Sequence, residues 1–185
     1  KTANSLFLSS GVSGDSNETQ QEMIDIIKDL RFKHYFRGYI HLQILPGTAK
    51  GLLKEASTYA DRLSINIEAP TKAEVDEYCS NKDFNNDLLK RQRWIRDVSR
   101  HSTQSTQMII GTNSNDNKIL RMTEYQYTEM KLSRVYYSAF KPIEGTPLEH
   151  QQAIDKHRET NLYRTDALTR VYGFKPKEFD AIIND

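Results

Sequence analysis

At 185 residues the chain has room for one domain with a real core and little room for two. Its 26 basic and 25 acidic side chains leave a formal charge of +1, so no global field draws it to nucleic acid or to an anionic membrane, and such a partner needs a local patch. The single cysteine, Cys79, excludes an intramolecular disulfide and any cysteine-rich metal site built from this chain alone, which fits a reducing, cytoplasmic setting. No apolar run approaches the roughly 18 residues needed to span a bilayer, and no basic-then-apolar leader opens the sequence. The expectation is a soluble, unexported protein with no membrane partner.

The chain begins almost directly on a strand-like run, Ser5-Leu6-Phe7-Leu8-Ser9-Ser10, which predicts a fragment or truncated form. Strand patterns follow over about 5–11, 38–45, 62–68, 105–111 and 134–140. Between the first two lies a predicted helix starting near Asn17 or Thr19, with Met23, Ile26, Ile27 and Leu30 on one face. The next carries Leu52, Leu53 and Ala56. The third connection predicts helices near 71–79 and 84–99, the latter offering Leu88, Leu89, Trp94, Ile95 and Val98 for packing. The fourth predicts a helix over 115–131. After a loop from Ile143 to Pro147, helical pattern resumes over 149–172 and stops at Gly173, a glycine placed to end a helix. The tail from Lys175 to Asp185 reads as one more short helix.

Alternating strands and helices predict an α/β protein with parallel strands and right-handed crossovers. The strand faces then choose an architecture. Ile40, Leu42 and Ile44 alternate with Tyr39, His41 and Gln43; Leu63, Ile65 and Ile67 alternate with Ser64, Asn66 and Glu68. Thr106, Met108 and Ile110 alternate with Ser105, Gln107, Ile109 and Gly111. Doubly wound sheets are covered on both faces and read as continuous apolar runs. One apolar and one polar face instead predicts an open, partial β/α barrel of about five strands with C-terminal helices.

Ligands of parallel α/β proteins gather at the carboxyl ends of the strands. That selects Ser9-Ser10-Gly11, Leu45-Pro46-Gly47, Asn66-Ile67-Glu68, Ile110-Gly111-Thr112 and Ser138-Ala139-Phe140. Gly11 and Gly111 either let backbone approach a ligand or merely turn the chain from strand to helix. Inward-facing His41, Gln43, Asn66, Glu68 and Gln107 imply water or a polar ligand, with His41 and Gln43 as substrate-facing candidates. His41 alone reads as a hydrogen-bonded interior histidine, and His150 and His157 as solvent-facing. Cys79 has no sequence-adjacent histidine to activate it. Arg91, Arg93 and Arg96, interleaved with Trp94, are nucleic-acid candidates if they share an exposed helix face, and an ordinary amphipathic face otherwise.

The strings Leu6-Phe7-Leu8-Ser9-Ser10-Gly11-Val12, Gly38-Tyr39-Ile40-His41-Leu42 with Pro46-Gly47, and Ser64-Ile65-Asn66-Ile67-Glu68 resemble successive barrel strands of the DNA modification/repair family of radical S-adenosylmethionine (radical SAM) proteins. Gln104 to Gly111 and Arg134-Val135-Tyr136-Tyr137-Ser138-Ala139 continue the resemblance in order. The later Leu162-Tyr163-Arg164 to Tyr172-Gly173-Phe174 is similar to the segment after that family's barrel. The resemblance implies strands two to six of the family barrel over 1–142, followed by a loop and helical segment over 143–185.

It also implies the cofactors of the intact family, S-adenosylmethionine and a 4Fe-4S cluster held by a CxxxCxxC segment. By position, Ser9, Ser10 and Gly11 would meet the methionine amino group, and Asn66 and Glu68 the ribose or carboxylate. Gln107, Ile109 and Gly111 would lie beside adenine, and Tyr137, Ser138 and Ala139 would supply a backbone contact. CxxxCxxC does not occur here, so neither a cluster nor cleavage of the cofactor is expected of this chain alone, and no metal ligands are assigned in it. The implied activity is radical modification or repair of nucleic acid by the intact enzyme. A non-catalytic nucleotide-binding or protein-binding α/β scaffold is the alternative. A phosphate-handling barrel lyase or isomerase is a third reading, disfavoured by the lack of a glycine-rich turn at a late helix N-terminus. An open first-strand edge predicts self-association.

Overall fold

In the computed structural model, which describes residues 3–111 and 114–180, five parallel strands form one sheet in chain order. They are β1 (Ser5–Leu8), β2 (Tyr39–Gln43), β3 (Arg62–Ser64), β4 (Thr103–Ile110) and β5 (Arg134–Ala139). The helices are α1 (Ser16–Phe32), α2 (Lys50–Tyr59), α3 (Lys72–Tyr78), α4 (Lys90–Val98), α5 (Asp116–Thr128) and α6 (Lys156–Tyr172). This is the partial parallel β/α barrel that the alternating strand faces predict. No helix among the described residues is long and apolar enough to cross a membrane.

The chain resolves into two compact units. The first comprises residues up to Ile65 together with Asn85–Ser105; the second comprises Asn66–Phe84 and the residues from Thr106 onward.

In the first unit, β1 aligns Phe7 with His41, β2 aligns His41 with Arg62 and Gln43 with Ser64, and β3 aligns Ser64 with Ser105. Aligned partners in a parallel ladder share a face. One face therefore carries Phe7, Tyr39, His41, Gln43, Arg62, Ser64 and Ser105. The other buries Ile40, Leu42 and Leu63 completely. Helix α1 starts on Asp15, whose carboxylate accepts from the N–H groups of Asn17 and Glu18.

Its buried stripe is Gln20, Met23, Ile24 and Ile27, whereas Ile26, expected in the core, is 49% exposed. At about 100° per residue Ile26 sits roughly 200° round from Ile24. Two polar residues occupy the stripe instead. The Gln20 side-chain carbonyl accepts from Leu45 N–H (2.8 Å), and its amide donates to the Gln43 carbonyl (3.4 Å). The Arg31 guanidinium donates to the carbonyls of Phe36 (2.9 Å), Gly38 (2.8 Å) and Tyr59 (3.1 Å) and to Asp61 (2.8 Å). A hydropathy count misses this arrangement because the polar ends reach backbone groups that would otherwise be buried unpaired.

The predicted strand over 62–68 is regular only to Ser64. In the second unit the irregular continuation still runs beside β4: Ile67 N–H donates to the Thr106 hydroxyl (3.1 Å), and Ile109 N–H to the Glu68 carbonyl (2.6 Å). The predicted 84–99 helix opens as a π-helical turn, Phe84–Leu89, before α4. The predicted 149–172 helix begins only at Lys156, after Asp155 caps it by accepting from His157 N–H. Gly173, at φ 78°, ends α6 as its sequence position predicts. Of the predicted tail helix, Pro176–Glu178 forms a single 3-10 turn, and 181–185 lie outside the described residues.

Candidate functional site

In the first unit a polar chain crosses the open sheet face. His41 Nε2 is 2.7 Å from the Ser64 hydroxyl, which donates to the Gln43 side-chain carbonyl at 3.1 Å. With the Ser64 proton committed to Gln43, His41 donates Nε2–H and keeps the lone pair on Nδ1. Burial, with the Arg62 cation adding to it, pushes His41 down to about 4, so the ring is neutral at pH 7. The Phe7 ring packs on it with centroids 4.5 Å apart. Both substrate-facing candidates are thus brought together, joined by Ser64, whose role the sequence reading did not single out. Ser9, Ser10 and Gly11 follow β1 as an exposed loop in which the Ser10 hydroxyl donates to the Gly11 carbonyl at 2.8 Å.

The basic stretch of α4 separates into two groups. Arg91 turns inward, its side chain 12% exposed, donating to the carbonyls of Gly47 (2.7 Å), Thr48 (3.1 Å) and Asn86 and stacking over Trp94. It pins the turn between β2 and α2 and does not share an outer face with Arg93 and Arg96. Those two are exposed, and Arg96 holds Asp97 at 3.0 Å.

In the second unit Asn66 is half-buried, and Glu68 adopts a left-handed backbone (φ 64°), uncommon for a residue with a side chain. Its carboxylate, 13% exposed, pairs with Lys82 at 2.7 Å. Cys79 lies nearby: burial first, then the Glu68 charge, pushes its thiol up against the opposing pull of Lys82, so it remains protonated at pH 7. Gln107 and Ile109 are half-buried on β4.

Gly111 is buried beneath an aromatic ring. A Cβ there would lie 1.7 Å from the Tyr78 hydroxyl oxygen. Tyr78 stacks in turn on Phe140 at 6.0 Å and 22°. Its C-terminal neighbour, the loop to α5, is fastened by Arg158 of α6, which donates to the carbonyls of Gly111 (3.1 Å) and Ser114 and to Asp116 (2.7 Å). Thr112 lies outside the described residues.

The backbone of β5 is occupied by its own unit. Tyr137 N–H donates to the Tyr163 hydroxyl (3.0 Å), which donates back to the Tyr137 carbonyl (2.9 Å), and Ala139 N–H donates to Glu159 (2.9 Å). Tyr137 points its own hydroxyl at Thr123, 2.8 Å away. Ser138 is half-buried between them. A ligand reaching the N–H groups of Tyr137 and Ala139 would have to displace α6 side chains.

The donor sets differ in what they can hold. No group of three His, Cys, Asp or Glu side chains with metal-binding geometry occurs among the described residues. One half-buried, protonated thiol does not fit an iron–sulfur cluster. A small polar ligand is better matched, by the hydrogen-bonding face of His41, Gln43 and Ser64 and by the glycine-lined end of β4.

No protein-family model matches the chain, and no curated protein matches it in sequence. Among solved structures, it is similar to a domain of pyruvate-formate lyase-activating enzyme from Bacteroides vulgatus ATCC 8482. That likeness covers 94% of this chain and 97% of that one, with a TM-score of 0.63 and 12% sequence identity. At that identity the shared property is the fold.

Proposed function

We propose that this chain is the barrel portion of a radical S-adenosylmethionine enzyme acting in nucleic-acid modification or repair. The observation that carries the reading is the sheet: five parallel strands in unbroken chain order, with one apolar and one polar face. The fold likeness to a domain of pyruvate-formate lyase-activating enzyme, a radical SAM family, supports it over nearly the whole chain. The resemblance of the strand sequences supports nucleic acid as the substrate class.

On this reading the carboxyl ends of β4 and β5 hold the nucleoside part of S-adenosylmethionine near Gln107, Ile109 and Gly111, with Asn66 and Glu68 toward its ribose. His41 and Gln43 face substrate. The cofactor pair supplies a 5′-deoxyadenosyl radical in the intact enzyme. This chain offers one cysteine, so alone it is inactive. Titrating the 185-residue chain with S-adenosylmethionine, monitored by calorimetry, tests the reading. Expected are saturable binding and no 5′-deoxyadenosine after dithionite. Absence of binding would sink the assignment of these residues.

The single cysteine also favours a second reading, a scaffold that binds a nucleotide without chemistry. Binding that persists while every upstream-extended form stays iron-free would select it.

A further inference from the structure

Glycine at 111 is not demanded by its own backbone, because its φ lies outside the left-handed range that side chains avoid. What forbids a side chain is Tyr78. A Cβ would fall 1.7 Å from its hydroxyl oxygen and 2.4 and 2.9 Å from two ring carbons. The other side of that ring is covered by Phe140, stacked at 22°. Gly111 and Phe140 therefore bound a slot the thickness of one aromatic ring, and the ring now filling it belongs to the chain. Tyr78 is the last residue of α3, a helix of seven residues, and Cys79 after it leaves helical geometry at φ −144° and ψ 56°. A rotation at that junction would withdraw the phenol without unwinding a strand.

The geometry points to a self-occupied ring seat: Tyr78 is a built-in placeholder between Gly111 and Phe140, and a planar nucleoside base enters by exchanging with the phenol. This deepens, and rests on, the assignment of a nucleoside to the carboxyl ends of β4 and β5. The exchange is conservative, since an incoming base recovers the stacking that Tyr78 gives up. Its consequence is regulatory. Affinity is lowered by the fraction of molecules in which Tyr78 is seated, and vacating the seat by mutation restores it.

Adenosine is the probe. Tyr78→Ala is expected to bind it about tenfold more tightly than the unsubstituted chain, corresponding to a seat filled about nine-tenths of the time. Adding Gly111→Ala to Tyr78→Ala refills the slot with a methyl group and should abolish the gain while preserving thermal stability; a purely packing role for Tyr78 would leave adenosine affinity unmoved in both. Should Tyr78→Ala fold poorly, the unsubstituted chain provides an independent readout. Cys79, the single thiol and the neighbour of Tyr78, should react with a maleimide several-fold faster in saturating adenosine.

Equal or weaker binding by Tyr78→Ala, slower labelling with adenosine, or no adenosine binding by either form would each overturn the seat. The radical SAM reading is judged separately, by iron and cofactor cleavage in an upstream-extended chain, so one can fail while the other stands.

Discussion

The two edge strands of the sheet are finished in opposite ways. Along β5 the N–H groups of Val135, Tyr137 and Ala139 end on Tyr127 (3.1 Å), Tyr163 (3.0 Å) and Glu159 (2.9 Å), side chains of α5 and α6 standing in for a sixth strand. Tyr127 is itself fixed, donating to Asp166, a fully buried carboxylate that also takes Arg134 at 3.0 Å. Along β1, among the described residues, no side chain hydrogen-bonds to the backbone of Ser5–Leu8, and Phe7 is 57% exposed. A parallel edge can thus be closed by tertiary hydrogen bonds alone, and an edge without them keeps its capacity to pair. The expectation of self-association attaches to β1 and not to β5.

The largest effect should come from Asp166→Ala, which strips Arg134 and Tyr127 of their shared acceptor. Loss of about 3–5 kcal/mol in urea unfolding is expected, with faster amide exchange at Val135. A change below about 1 kcal/mol would mean that the β5 seal does not depend on this carboxylate. Tyr163→Phe removes one hydroxyl but leaves a donor and an acceptor of Tyr137 unmatched, an expected cost of about 1–3 kcal/mol. Its signature is exchange of the Tyr137 amide; unchanged protection there would contradict the seal.

On the β1 side the expected effects are smaller. His41 is held neutral, with its folded value about 4 against 6.5 for a free histidine. Between those values the unfolded chain binds the extra proton, so this contribution to stability is full above pH 6.5 and falls away as pH drops toward 4. His41→Phe should flatten that part of the pH–stability curve; an unchanged slope would place the effect elsewhere. Phe7→Lys should alter stability by no more than about 0.5 kcal/mol while weakening self-association in sedimentation. Identical sedimentation at every concentration would remove β1 as an association edge.

The sheet was legible because alternation is a local signal. Ile40, Leu42, Leu63 and Met108 are buried where period two puts them. The start of α6 was less so: helical pattern begins near Glu149, yet the chain helps close β5 first, with Ile154 N–H on the Phe140 carbonyl, and waits for Asp155 to cap the helix. At the candidate site, His41 and Gln43 were visible as polar residues on an inward face, but their link through Ser64 depends on register between strands. Gly111 stood out as a strand-end glycine. The ring that requires it comes from Tyr78, whose approach is a tertiary fact with no pattern in the chain. Arg91 was readable only as a charge, because the carbonyls it serves belong to a turn more than forty residues earlier.

The most direct test of the radical SAM reading is to extend the chain upstream in its own reading frame, purify it without oxygen, and measure iron together with 5′-deoxyadenosine formed under dithionite. The account expects a cysteine triad, bound iron and cleavage in the extended protein, and neither iron nor cleavage in the 185-residue chain. An extended protein without iron or 5′-deoxyadenosine, or cleavage by the 185-residue chain on its own, would contradict it.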